Sequence, residues 1–408
     1  MDLAALGTLF FLQVTVILAV ARITGYLAQR YLMQPRVVGE MIAGVLLGPS
    51  LFGAFSPDMQ AALFPADTRP ILYVIAQMGV GLYMFIVGLG FDRKDFAVNA
   101  KGAAIVSVAG MAAPFLAAVL LVPWLLQQGG LFGEGIDALQ ATLFLGAAIA
   151  ITAFPMLARI IHERGITGTT EGTIALSAGA IGDAGAWVLV AIVLATLNNN
   201  MTNAGIAVGG GLAFAAFMIF LGPRFFAYLG RRAEIKGVDN GLIGIALILY
   251  MLSAFFMDAI GIHAVFGGFL LGTAMPRGKL SEGLKQALEP VTVVLLLPFF
   301  FTYSGLHTDL RVAGGGPLLW VALVILLASV LAKGGASYLA ARWVGQSNRS
   351  ALGIGALMNA RGLMELIIIN IGLQSGVIEP SLFSILVLMA IVTTLMASPL
   401  FELSRRIR

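Results

Sequence analysis

Apolar residues run along this chain in helix-length blocks, parted by short polar or charged stretches. A helix that crosses a bilayer needs roughly 20 such residues. About thirteen blocks qualify, near residues 4–26, 37–55, 70–91, 101–126, 140–161, 172–197, 203–228, 240–258, 261–276, 289–306, 316–341, 350–373 and 380–402. The second and ninth are short and rich in glycine, so twelve crossings are the alternative count. The pattern predicts an all-α polytopic membrane protein, and no stretch reads as a soluble domain. The first block, MDLAALGTLFFLQ onward, has no basic residues ahead of its apolar run. It reads as a first transmembrane helix and not as a cleaved signal peptide.

The polar positions orient these helices. Of the 24 Lys and Arg, only Arg69 and Arg311 fall on outside loops if the N-terminus lies outside. Lys333 and Arg361 fall within predicted spans, and the others gather on inside loops, as the positive-inside rule requires. That asymmetry predicts an odd number of spans in a cell (inner) membrane, with the N-terminus outside and the C-terminus cytoplasmic.

The blocks also repeat. Ala43–Gly48 (AGVLLG) in the second is matched by Gly267–Gly272 (GGFLLG) in the ninth, and Gly88–Asp92 in the third by Gly305–Asp309 in the tenth. Both pairs are seven spans apart. An odd offset turns the second copy upside down, which is the inverted-repeat plan of many secondary transporters. The repeat pairs span 5 with span 12 and span 6 with span 13. Ile151–Pro155 then aligns with Met358–Gly362, and both carry helix-weakening residues, Pro155 and Gly362. Two broken helices in corresponding places point to a binding site at mid-membrane. The link between the halves would be span 7 and a basic loop, Arg231–Asn240.

Composition agrees with this class: 59% of residues are hydrophobic and 11% charged, where soluble proteins carry about 25% charge. The net charge of +4 is distributed by topology and is no nucleic-acid signal. There is no cysteine, so disulfides and thiolate metal sites are excluded. No hydrolase, zincin or phosphate-loop motif stands in a suitable context. His162, His263 and His307 sit at span ends with no ligand spacing between them. The expectation is a transporter with no cofactor, not an enzyme.

The candidate chemistry is sparse. Asp183 is the only aspartate in the central part of a predicted span. Its two readings are a cation- or proton-binding carboxylate and a neutral packing residue; an ionisable group at membrane depth favours the first. Taking a carboxylate out of water favours its protonated form, so protons and cations would compete there. Thr152 and Asn359 stand at the two predicted breaks. They either supply oxygen ligands to a hard monovalent cation, with Thr152 beside Asp183 as the metal-ligating pair, or satisfy freed backbone groups. Lys333, alone in span 11, would neutralise the negative C-terminal ends of half-helices; a snorkelling lysine is the other reading, and the apolar run beyond it argues against that. Arg361 and Glu365, spaced i,i+4, form a local ion pair, with charge compensation as plausible as a transport role. Glu40 reads as a packing residue in preference to an ion funnel.

At these residues the chain resembles a known family, the monovalent cation:proton antiporter-2 family, which includes Kef-type potassium efflux systems and plant cation/proton exchangers. The matching stretches are GEMIAGVLLGPS (Gly39–Ser50), MFIVGLGFD (Met84–Asp92), ITAFPMLARI (Ile151–Ile160), SAGAIGDAGAW (Ser177–Trp187), HAVFGGFLLGTAMP (His263–Pro276), LPFFFTYSGL (Leu297–Leu306) and MNARGLMELIIINIGL (Met358–Leu373). The resemblance implies the sodium/proton antiporter fold with crossed broken helices. It implies a dimerisation part at 1–100 and 240–310, an ion-binding core at 101–197 and 316–402, and a linker at 203–239. It also implies a homodimer working by an elevator-like mechanism. Asp183 matches the family's ion-binding aspartate, Thr152 its broken-helix threonine and Lys333, by position, its core lysine. Many members carry an acid or amide just before the aspartate, where this chain has Gly182. That departure predicts electroneutral exchange of one sodium or potassium ion for one proton. The rival readings are a gated potassium efflux pathway of the Kef kind and an exporter of a small organic substrate on the same fold.

Overall fold

In lipid a chain must satisfy its backbone hydrogen bonds within itself, and this one does so almost wholly with helices. The computed structural model describes residues 2–32, 34–91, 93–197, 201–262, 264–307, 317–361, 365, 368–369, 372–373 and 375–406; at 3, 93–99, 155, 183–184, 186–197, 201–204 and 317 it describes the backbone alone. Among the described residues, nine helices are long and apolar enough to cross a membrane, from Ala4–Tyr31 to Pro380–Arg406, and two shorter apolar helices are Ala138–Ala150 and Ala264–Ala274. The sixth predicted block is the helix Thr170–Leu197. The one element that is not helical among the described residues is an isolated antiparallel bridge between Phe132 and Ile378.

Several boundaries differ from the hydropathy pattern, each for a local reason. The ninth block forms an 11-residue helix, about 16 Å long at 1.5 Å per residue, too short to cross alone. The basic stretch after the seventh block, expected as a loop over Arg231–Asn240, is helical through Ala227–Lys236 and ends where Gly237 takes a positive φ of 74°, a conformation that favours glycine. Asp239 then caps Asn240–Ala259, accepting from the Leu242 N–H at 2.8 Å. That bond, and after it the Arg232 guanidinium, hold the Asp239 carboxyl below the usual carboxylate range. The tenth block starts early, at Lys279, because Leu280, Leu284 and Leu288 recur four apart and bury one stripe. It continues through a π-helical turn, Thr292–Leu296, into Leu297–Gly305.

The chain divides into two compact units, one of residues 1–20, 58–93 and 194–303, the other of 21–57, 94–193 and 304–408. In the first, the helix Arg69–Gly90 packs along Ala264–Ala274 through glycines. A Cβ on Gly88 would lie 2.9 Å from the Gly272 Cα and collide with the Phe269 carbonyl. Close backbone approach of this kind is how helices associate in lipid, where no hydrophobic drive separates helix from solvent. Gly88→Ala should therefore force the pair apart and cost about 1–3 kcal/mol, read as a lowered Tm in detergent. Gly7→Ala, with open space around it, is the matched control and should leave Tm unchanged.

Beyond that contact, Arg277 donates to the Leu89 carbonyl at 2.5 Å and the Phe91 carbonyl at 2.6 Å, with longer bonds to Gly272 and Thr273. One guanidinium thus serves the C-terminal carbonyls of both helices, which have no partners within their own helices.

In the second unit, Asn348–Met358 packs against both Ala336–Trp343 and Pro380–Arg406. The loops ahead of Ala138 and Pro380 are stitched together: Gly133 N–H donates to the Val377 carbonyl at 3.2 Å, and Glu379 N–H to the Leu131 carbonyl at 2.9 Å. This unit holds the candidate site.

Candidate functional site

Asp137 opens the helix Ala138–Ala150 with a capping box shared with Gln140, and the helix stops at Ile151, where ψ swings to 133°. Thr152 stands in the break. Pro155 does not cause the break from within. It lies in the first turn of the next helix, Phe154–Glu163, where its missing N–H costs nothing. The second break follows Asn348–Met358, with Asn359 as its C-cap and Ala360 and Arg361 outside the helix. Gly362, expected to weaken that helix, lies outside the described residues.

The two breaks meet. Ala153 N–H donates to the Ala360 carbonyl at 3.2 Å. Around this bond, two cations take the last carbonyls of Ala138–Ala150. Lys333, fully buried, donates its Nζ to the Ala150 carbonyl. Arg361 donates Nη1 to the Ala148 carbonyl at 3.0 Å and to Glu365 Oε1 at 3.3 Å. Both are placed to offset the negative end of the half-helix. Thr394 fixes the Arg361 backbone: its Oγ1 accepts from the Arg361 N–H at 3.1 Å and donates to the Arg361 carbonyl at 2.5 Å.

Lys333 sits on a π-helical turn, Val330–Gly335, a distortion common at functional sites. Its neighbour Gly334 leaves room for Asn359, whose amide nitrogen a Cβ there would strike. Asn359 Nδ2 donates back to the Gly355 carbonyl at 3.1 Å. Its Oδ1, like Thr152 Oγ1, is buried and has no hydrogen-bond partner among the described residues. A buried oxygen left so costs about 1–3 kcal/mol, a cost that a bound cation removes.

Asp183 belongs to the helix Thr170–Leu197; its carboxylate lies outside what is described. The backbone still places it. Gly179, one turn earlier, faces the half-helix Phe154–Glu163, where a Cβ on Gly179 would lie 2.6 Å from Leu157 Cδ2. Four residues turn a helix by about 400°, so Asp183 stands only about 40° from that side. Glycine at 179 is therefore a packing requirement: a hydroxyl there would displace Leu157. The helix carrying Asp183 thus runs against the half-helix that begins just after Thr152.

Of the sequence candidates, Thr152, Lys333, Asn359, Arg361 and Glu365 gather around the joined breaks. Glu40 is buried elsewhere in this unit, on Arg36–Leu47, which packs against Phe154–Glu163; its charged neighbours are Arg159, Glu163, Arg22 and Arg36. His162, His307 and Asp258 are exposed, and His263 lies outside the described residues. Sequence reasoning passed over Thr394 and Ser107. Hydroxyls are common in apolar helices and usually bond their own preceding turn, so only contacts distinguish these two. Among the described residues no three His, Asp or Glu side chains gather as a resident metal centre would.

The chain is similar to known proteins over nearly its whole length. A family model described as sodium/hydrogen exchanger, transmembrane, matches residues 16–403. The sodium/proton antiporter NhaS4 of Synechocystis is 39% identical over 396 residues, which is 96% of each chain. Cation/proton antiporter 18 of Arabidopsis thaliana is 34% identical over 96% of this chain and 48% of its own length. Potassium/proton antiporter 1 of Saccharomyces cerevisiae is 30% identical over 97% of this chain and 46% of its own. The chain thus spans nearly all of the cyanobacterial relative and about half the length of the plant and yeast ones.

Proposed function

Because this chain belongs to the sodium/hydrogen exchanger family of membrane transporters, we propose that it exchanges a monovalent cation, sodium or potassium, for a proton, with Asp183 as the shared binding group. The observation that carries this reading is the pair of buried, unpartnered oxygens, Thr152 Oγ1 and Asn359 Oδ1, each one residue from the bond that joins the breaks. Neutral oxygens of this kind suit a hard monovalent cation. Relatives named for sodium and for potassium exchange support both ions as cargo.

Protonation and cation binding exclude each other at one carboxylate, and Gly182 adds no second acid. Each cycle therefore moves one cation against one proton with no net charge. Lys333, Arg361 and Glu365 set the field around the site. The core, 101–197 and 316–402, shifts past a dimerisation part at 1–100 and 240–310, joined by the linker at 203–239, in a homodimer of the inner membrane with its N-terminus outside.

The test is proton flux in proteoliposomes of the full chain, read with a pH dye during steps of sodium, potassium, lithium and choline. The expected result is flux with at least one alkali cation and none with choline, at a rate indifferent to an imposed membrane potential. Equal responses to choline and to the alkali cations, or no response to any of them, would overturn the reading.

A further inference from the structure

Position 182 has no side chain, yet the space beside it is filled. On the neighbouring helix Arg93–Gln128, Ser107 reaches over it: a Cβ on Gly182 would lie 3.3 Å from Ser107 Oγ. One turn further along, Met111 occupies the same groove, 2.6 Å from where a Cβ on Gly185 would be. The glycines ahead of and behind Asp183 are thus a seat for two side chains of another helix, and one of those ends in an oxygen.

That oxygen is poorly used. Ser107 is 1% exposed. Its one hydrogen-bond partner among the described residues is the Met111 thioether, at 4.0 Å, and sulfur is a weak acceptor. Buried hydroxyls are ordinarily well paired. This one lies against the helical turn that carries Asp183. It comes from a different helix than Thr152 and Asn359, and sits on the flank next to the one Leu157 packs on, since Gly182 is about 60° from Gly179 and about 100° from Asp183 around the helix.

We propose that Ser107 is a further oxygen ligand for the transported cation, supplied across the gap at Gly182. The proposal rests on the reading of Asp183 as the ion-binding group. A single neutral hydroxyl adds affinity for the cation without adding charge. It also gives the site a wall on the side where Gly182 leaves none. A proton on Asp183 needs no such ligand, so the serine acts on cation binding and leaves proton binding alone.

Ser107→Ala removes the hydroxyl and little else. In the same vesicle assay it should raise the half-saturating cation concentration about tenfold, the scale of one hydrogen bond to a charged group. The maximal rate, and the pH profile at saturating cation, should stay as in the unaltered chain. In Ser107→Ala/Gly182→Ser, where the alanine makes room, a hydroxyl returns from the opposite wall of the same gap and should recover most of the affinity. A wild-type half-saturation in Ser107→Ala overturns the proposal. So does a loss that the double variant does not recover, because that loss belongs to packing. If Asp183→Asn keeps its cation-evoked flux, the exchange reading itself fails and takes this proposal with it, a result separable from either outcome at Ser107.

Discussion

Asp183→Asn should abolish cation-evoked proton flux in reconstituted vesicles. Asparagine has the shape of a protonated aspartate and can keep its place in the helix, so the protein should express and unfold like the unaltered chain. What it lacks is a proton to lose and a charge to attract a cation. If both cargoes compete for this one group, as proposed, the same site should dictate the pH response of the unaltered chain. Once Asp183 is mostly protonated, each further unit of acidification should raise the half-saturating cation concentration about tenfold, because the fraction of free carboxylate falls tenfold. The maximal rate at saturating cation falls much less. A variant that still moves protons on a sodium or potassium step would remove Asp183 from the reaction. A half-saturation indifferent to pH would show that the two cargoes use different groups.

Arg361→Ala should be the most damaging change to the fold of the site. Arg361 and Glu365 are both fully buried and joined at 3.3 Å. The guanidinium also holds the Ala148 carbonyl. Removing it strands a carboxylate away from water and reopens the end of a half-helix. Loss of one partner from a buried pair costs about 3–5 kcal/mol, enough to expect a Tm drop in detergent and a fall in folded yield. Removing both charges is milder, since an apolar pair of similar volume carries no such penalty. Arg361→Leu/Glu365→Leu should regain at least half of the lost stability. Thermal unfolding of the two variants side by side checks this; equal losses in both would mean that the Ala148 contact, and not the ion pair, carries the stability.

Much of this architecture was legible in the residues. The apolar blocks are long enough to declare themselves, and among the described residues most helices fall within them, though some of their ends do not. The breaks were signalled too, though not quite as they are built. Pro155 marks the first, but the chain leaves the helix at Ile151, before the proline, which then opens the next segment. A proline tells that a helix has a boundary nearby and does not tell on which side.

Partners were not legible. Lys333 meets a carbonyl 183 residues away, and Arg361 one 213 residues away; nothing in local sequence encodes either. The need for glycine at 179 is set by Leu157, a partner that local sequence does not name. Ser107 carried no signal at all, since one serine in an apolar helix is ordinary, and only its place over Gly182 gives it meaning. The expected loop Arg231–Asn240 is helical as far as Lys236, because charged residues at the membrane surface are compatible with helix.

The clamp made by Arg277 bears on how the protein is assembled. Its carbonyl partners on Leu89 and Phe91 precede it by 188 and 186 residues. Ribosomes add about 5–20 residues per second, so the end of the early helix waits about 10–40 s for its cap. During that interval the glycine groove around Gly88 lacks its partner, because the helix Ala264–Ala274 that fills it has not been made. The first unit therefore cannot close as its early helices enter the membrane. It is finished late, by a returning segment, and its early helices must pass through a loosely held stage within reach of whatever insertion machinery shelters them.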